Sequence, residues 1–384
     1  MSSMPTAPMG SDENKAAPAL NGQLRLIIQN TERCPRWQPH KIALEDTTLL
    51  PRDLEAIQTL LSEGSQSITI LQLKKCRINE RSLIALLSRL GSYRALTTVS
   101  LSECNVHERA ISALGTALQQ GRVKNVDLGN VALGVNGARV MAAALRDSGI
   151  ERMYLGHTRI GDEGMEQLAK AFETGTVSLQ ILDVSGAQIG SAGFSALART
   201  LPMTRLRGIN LGMNAISAAT VQEVCSAIEM TPSMESLFIS GAQLNDESAR
   251  TIASILPKTG LLRLKLNAND ITDVGLIALA DAIHLSKTLQ VLEMKRNPAI
   301  TDSAARYFWQ KVKTHMTLKR VEFDESGVSP DLSATISAKV AALQSERRRA
   351  VVLLCAAKII SRLGAGCTFD LPVEHLRLLA AFLG

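Results

Sequence analysis

Apolar side chains recur along this chain in a repeating unit of about 28 residues. The unit is marked by segments of the form LxxLxL. Taking the second apolar residue of each as an anchor gives Leu44, Leu73, Leu101, Leu128, Leu155, Val184, Leu211, Ile239, Leu266, Met294 and Phe323, at intervals of 27 to 29. Two positions before the anchor the residue is again apolar, as in Leu71, Val126, Ile209 and Leu264. Five positions after it stand Ile78, Val106, Leu133, Ile160, Ile189, Ile216, Leu244 and Ile271, with Ile300 displaced by one. Pairs such as Leu168/Phe172, Leu197/Leu201, Ile252/Leu256 and Leu279/Ile283 follow four apart. A two-residue period predicts a short strand, and a spacing of three and four predicts an amphipathic helix. Each unit therefore reads as strand, turn, helix.

The turns carry residues that start helices. They read Ile160-Gly-Asp-Glu-Gly164, Ile189-Gly-Ser-Ala-Gly193 and Ile271-Thr-Asp-Val-Gly275. Asp162, Ser191 and Asp273 are expected to cap their own helices by accepting from free backbone N–H groups. The glycine that follows is expected to let the helix pack closely. A single unit cannot bury its apolar face alone, but eleven stacked units can.

This arrangement, over roughly residues 41–341, resembles the ribonuclease-inhibitor-like class of leucine-rich repeats, and 262–283 (LRLKLNANDITDVGLIALADAI) looks like its consensus throughout. The resemblance implies a right-handed α/β solenoid, or horseshoe, with a parallel β-sheet on the concave face and α-helices on the convex face. It also implies Asn or Cys three positions after the anchor, hydrogen-bonded to the loop backbone. Cys76, Cys104, Asn214, Asn269 and Asn297 comply, whereas Val131, Thr158, Ala187 and Ala242 do not, so the middle turns are expected to be less regular.

The ends depart from the repeat. Residues 1–23 read as a disordered tail rich in Ser, Pro, Ala and Met, and 24–40 as an N-terminal cap or a hook for a partner. Residues 342–384 read as a C-terminal helical cap, with helices expected over 350–363 and 370–383. The alternative for the last stretch is its resemblance to the opening of an F-box, which would imply recruitment of a ubiquitin-ligase adaptor.

Composition supports stacked thin layers over one central core: 46% of residues are apolar but only 3% aromatic. The net charge of +6 is a mild excess for 384 residues. The six cysteines show no CxxC spacing and read as reduced thiols. The N-terminus does not read as a signal peptide or presequence, and no apolar run is long enough to span a membrane. The expected location is the cytoplasm, with the nucleus or an association with cytoskeleton or flagellum as alternatives.

Chemistry-bearing patterns are sparse. The six histidines show no metal-ligand spacing, and neither a phosphate-binding loop nor a GxSxG turn occurs. Cys76 and Cys104 read as buried thiols standing in for the ladder Asn. No cofactor and no metal are expected, and the chain does not read as an enzyme. A resemblance in repeat length to Ran GTPase-activating proteins implies one exception, an arginine in an early strand-to-helix loop, for which Arg81 and Arg109 are the candidates. That family's acidic tail is absent here.

Function is expected on the concave strand face, which in such solenoids is wide and preformed. The residues just before the anchors form a row of mixed sign, with Asp127 and Asp183 preceding Lys265, Glu293 and Glu322. A nucleic acid would call for uniform positive charge, so neither nucleic acid nor membrane is expected as partner. Tyr and Arg are enriched in interface hot spots. The candidate protein-binding residues are Arg152, Tyr154, His157, Asp183, Asn210, Met213, Phe238 and Lys265. The expected role is that of a scaffold or adaptor binding a protein, either as a monomer or within a larger complex. The alternatives are GTPase regulation and F-box-like substrate reception.

Overall fold

A computed structural model of the chain describes residues 20–25, 27, 40–63, 67–120, 122–174, 177–315, 317–343 and 345. The two helices expected after residue 349, the F-box-like stretch and most of the proposed N-terminal cap lie outside the described residues.

Eleven strands form one parallel sheet in simple chain order: β1 (Lys41–Glu45), β2 (Ile70–Lys74), β3 (Thr98–Ser100), β4 (Asn125–Asp127), β5 (Arg152–Tyr154), β6 (Ile181–Asp183), β7 (Gly208–Asn210), β8 (Ser236–Phe238), β9 (Arg263–Lys265), β10 (Val291–Glu293) and β11 (Arg320–Glu322). Each connection carries a helix: α1 (Pro51–Glu63), α2 (Glu80–Leu87), α3 (Glu108–Gln120), α4 (Gly134–Arg146), α5 (Gly161–Phe172), α6 (Ser191–Thr200), α7 (Ala218–Glu229), α8 (Asp246–Ile255), α9 (Asp273–Leu285) and α10 (Asp302–Val312). Every helix packs on its neighbours in sequence. The structure is thus a leucine-rich-repeat solenoid, strands lining one face and helices the other.

All the anchors are buried, and so are the apolar residues two before and five after them; they merge into one continuous core between sheet and helices. Aromatic rings enter only where a layer needs bulk, as where Phe308 meets Phe323 edge-on with centroids 5.4 Å apart. At the N-terminal side the order begins earlier than the sequence suggests. Leu24 is fully buried, and the Asp53 carboxylate accepts from the backbone N–H groups of Asn21 (2.9 Å) and Leu50 (2.8 Å), which ties residues 20–25 to the first unit.

Two positions after the anchor, every unit holds a residue with φ between 49° and 66°, from Asp46 in the first to Glu325 in the last, and only Gly186 and Gly241 are glycines. This conformation is unfavourable for a side-chain-bearing residue. It persists because it turns the backbone N–H onto the next unit: Lys75 donates to the Ser102 carbonyl, His157 to Ser185, Met213 to Ser240. The ladder thereby continues one rung beyond the strands.

The ladder side chains behave as the pattern requires. Asn269 accepts from the N–H groups of Ala242 (2.9 Å) and Leu244 (3.1 Å) and donates to the carbonyls of Ile239 (2.8 Å) and Leu266 (3.0 Å). Cys104 substitutes with fewer bonds, its Sγ accepting from Cys76 N–H at 3.3 Å and donating to Leu73 O at 3.2 Å. Of the six units lacking Asn or Cys, the four interior ones each contain a further left-handed residue, Gly134 after Val131, Arg159 and Gly161 after Thr158, Gln188 after Ala187 and Gln243 after Ala242, whereas the end units with Thr47 and Ser326 do not. No unit with a complying Cys or Asn does. The middle turns are irregular where the side-chain ladder is broken.

The helix caps differ from expectation. Asp162 stands second in α5, and its Oδ1 accepts from the N–H groups of Gly190 (2.6 Å) and Gly193 (3.0 Å) at the start of α6. Asp246 does the same for Thr272 and Gly275, and Asp273 and Asp302 each hold one backbone N–H and one hydroxyl of the following turn. Ser191 does not cap α6 either, since that helix has no side-chain cap of its own. The aspartates cap the helix of the next unit, because stacking brings that N-terminus within their reach.

Candidate functional site

A three-residue strand buries its middle side chain and turns the first and third outward, which is the burial pattern at β5, β6 and β9. Parallel pairing without slippage then lines the outward residues into rows. The third-position row runs Gln72, Ser100, Asp127, Tyr154, Asp183, Asn210, Phe238, Lys265, Glu293, Glu322 in register. The first-position row runs Arg152, Ile181, Gly208, Ser236, Arg263 across the middle of the sheet.

Between β5 and β9 these rows enclose a trough of about 470 Å³. Its floor is Ile181, Gly208 and Ser236; Tyr154 and Phe238 line it from the third-position row; Arg152 and Arg263 stand at its two ends. A Cβ added to Gly208 would lie 3.5 Å from Ser236 Cβ and 3.8 Å from Ile181 Cγ1, so the glycine leaves room for a side chain that is not there.

The polar groups of the trough are held in place. Asp183 accepts from Ser185 N–H (2.9 Å) and Oγ (2.7 Å) through one oxygen and from Asn210 Nδ2 (3.0 Å) through the other. Lys265 pairs with Glu293 at 3.1 Å while its Nζ lies 5.0 Å from the centroid of the Phe238 ring, a cation–π contact that braces the ring. Arg207 pairs with Glu235 at 2.6 Å. Arg152 donates to Asn125 Oδ1 (3.1 Å) and Arg263 to Ser236 Oγ (3.0 Å).

Of the eight residues named from sequence, six line this trough: Arg152, Tyr154, Asp183, Asn210, Phe238 and Lys265. His157 and Met213 do not. They occupy left-handed turns at the edge of the sheet, where the His157 ring covers Gly186 and the Met213 side chain covers Gly241 of the following unit. His157 lines a second depression with Ser100, Asp127 and Gly156. The sequence reading missed Ile181, Gly208 and Ser236, because their role comes from what they leave empty. Their signal was the first-position row, uncharged between two arginines.

The basic C-terminal end of the face is not open to a polyanion. Lys295 pairs with Glu322 (2.8 Å) and Asp324 (3.4 Å), Arg296 with Glu325 (2.6 Å), and Arg320 with Glu322. Arg81 and Arg109, read as loop residues, instead occupy the first turns of α2 and α3, since their helices start at Glu80 and Glu108. Cys76 and Cys104 are buried free thiols. Among the described residues no group of His, Cys, Asp or Glu could hold a metal ion, and no helix is long and apolar enough to cross a membrane.

The "Leucine Rich repeat" family profile matches residues 177–198 and 259–280. Mouse ribonuclease inhibitor is 28% identical over 181 residues, which is 46% of this chain and 40% of that protein; the pig protein is 25% identical over 287 residues, 66% of this chain and 57% of that one. These are leucine-rich repeats of the ribonuclease-inhibitor-like class. Human Protein NLRC5 matches as well, 30% identical over 153 residues, 40% of this chain but 8% of that protein. The leucine-rich-repeat chain thus spans less than half the length of the first of these relatives. The solved structure of the yeast Rad7 and Elc1 complex shares the fold, with a TM-score of 0.53 at 15% identity over 73% of this chain and 68% of that one.

Proposed function

We propose that this chain is a non-catalytic scaffold or adaptor that binds a protein partner in the trough on its concave sheet face. Leucine-rich-repeat proteins are generally protein-interaction scaffolds. The observation that carries the reading here is the trough itself: two of the chain's few aromatic side chains flank a floor deepened by Gly208, with Asp183, Asn210, Lys265 and the three arginines already held by hydrogen bonds or ion pairs. A preformed surface of this kind loses little conformational entropy on binding. Aromatic side chains bracketing a depression are the usual anchors of protein interfaces.

The test is affinity capture from lysate with three forms of the chain: wild type, Tyr154→Ala/Phe238→Ala and Gly208→Val, with matched circular dichroism. A protein retained by the wild type and lost by both variants supports the reading. A protein retained equally by all three removes the trough from consideration.

A further inference from the structure

Four cations line the trough, and they divide into two kinds. Arg207 and Lys265 are neutralised by Glu235 and Glu293. Arg152 and Arg263 have no carboxylate within 4.0 Å among the described residues; each is steered by a single neutral oxygen, Asn125 Oδ1 and Ser236 Oγ. A guanidinium carries five N–H donors in a fixed fork suited to bidentate carboxylate binding. Both arginines are therefore oriented yet unmatched, whereas the cations further along the sheet, Lys295 and Arg320, are matched by the protein's own acids.

Their placement sets a geometry. Arg152 and Arg263 stand in the same row with three strands between them. With adjacent strands about 4.8 Å apart, their backbones are separated by roughly 19 Å. An extended chain advances about 3.3–3.6 Å per residue, so five to six residues laid across the strands reach from one guanidinium to the other. Midway lies Gly208, the one floor position with no side chain, beside the apolar Ile181.

We infer that the trough takes an extended acidic segment of a partner protein, laid across the strands, with one carboxylate on Arg152, another on Arg263 and an apolar side chain between them seated over Gly208. This rests on the concave-face reading above and adds the chemistry of the partner. A protein segment fits better than a nucleic acid. A nucleic acid bears a phosphate at every nucleotide, and between the two arginines it would meet Asp183 and Glu235, both in the trough. Asp183 is already saturated by three donors and Glu235 by Arg207, so neither draws on the terminal arginines.

Random peptides displayed on phage are selected on the full chain. The consensus peptide is then measured by fluorescence anisotropy against wild type, Arg152→Gln/Arg263→Gln and Gly208→Val, all checked for unchanged melting. The expected consensus carries two acidic residues about six positions apart, an even spacing that turns both toward the sheet, with an apolar one between them. The double arginine variant is expected to weaken binding about tenfold at low salt, less as salt rises, and Gly208→Val to weaken it also. A consensus lacking the acidic pair, or one indifferent to the arginine changes but lost in Gly208→Val, overturns this inference while leaving the trough as the binding site. Indifference to all the variants overturns both. A library that yields no binder overturns the acidic-segment inference. So does binding of oligo(dT) with the same arginine dependence, since the arginines would then be general polyanion contacts.

Discussion

The Oδ1 atom of Asp246 accepts a hydrogen bond from the backbone N–H of Gly275 at 2.9 Å, and a Cβ built on that glycine would lie 2.6 Å from the same oxygen. One atom of one unit thus caps the next helix and forbids that helix a side chain. Asp162 and Gly193 repeat the arrangement, at 3.0 Å and 2.7 Å. Asp246→Ala should cost about 0.5–2 kcal/mol for the lost cap, and Gly275→Ala about 1–3 kcal/mol for overpacking. Together they should cost less than the sum, since removing the carboxylate makes room for the methyl group; the residual penalty comes from Ile271 Cγ2, also 2.6 Å away. Urea melts of the cycle decide it, and additivity within about 0.5 kcal/mol would mean the carboxylate is not what excludes the side chain.

Asn269, like Asn214 and Asn297, makes four hydrogen bonds to backbone groups of its own and the preceding unit. Asn269→Ala leaves buried donors and acceptors without partners, each worth about 1–3 kcal/mol. A loss of roughly 3–5 kcal/mol is expected after partial relaxation. The same units in Ala242→Ser should change little, since the turn there is already built around a left-handed Gln243. Equal effects in denaturant melts would contradict the ladder account.

The carboxyl groups held below their ordinary range cluster at the C-terminal end of the solenoid. Hydrogen bonding from Lys311 depresses Asp281, the Ser329 backbone N–H and hydroxyl depress Asp302, and Arg296 depresses Glu325. For Glu322, burial pushes upward but the bonds from Lys295 and Arg320 outweigh it. A depressed carboxyl stabilises the fold above its unfolded value, near pH 4, and that contribution disappears as pH falls through the folded value. The last three units should therefore loosen first in acid, as the pH falls below about 4, with no such loss between pH 5 and pH 8. Hydrogen exchange at low pH checks this. First loss of protection at β1–β3 would count against it.

Tyr154→Ala and Phe238→Ala should each weaken partner binding by about 2 kcal/mol, roughly thirtyfold, with little change in melting temperature. Both rings are half-buried on the sheet face and outside the continuous core. Calorimetric titration of the captured partner, paired with a thermal melt of each variant, separates loss of binding from loss of fold.

Cys104 and Cys225 should be inert in the folded chain. Burial pushes the Cys225 thiol up to about 12, and the hydrogen bond to Cys76, followed by burial, pushes Cys104 upward. Iodoacetamide at pH 8 should leave both unmodified until urea is added. Labelling mapped by peptide mass spectrometry tests this, and native modification of Cys104 would show that its turn opens.

Periodicity alone was enough to specify the architecture, because a side chain's face in a strand or helix follows from its place in the period. The anchors, the strand triplets, the outward row from Gln72 to Glu322 and the irregular turns at Val131, Thr158, Ala187 and Ala242 were all legible one residue at a time. What the tertiary structure decided is whatever depends on the neighbouring unit. Asp162 looks like a cap for its own helix, yet it serves the next, because stacking sets two helix N-termini within its reach. Ala268 and Arg296 adopt left-handed turns that their side chains disfavour, because the following unit supplies the carbonyl that rewards them. His157 and Met213 lie outside the trough because each covers a glycine of the next turn. The trough itself is made by Gly208, a residue with no side chain to read, and only the register of five adjacent strands shows that it lies between two unmatched arginines.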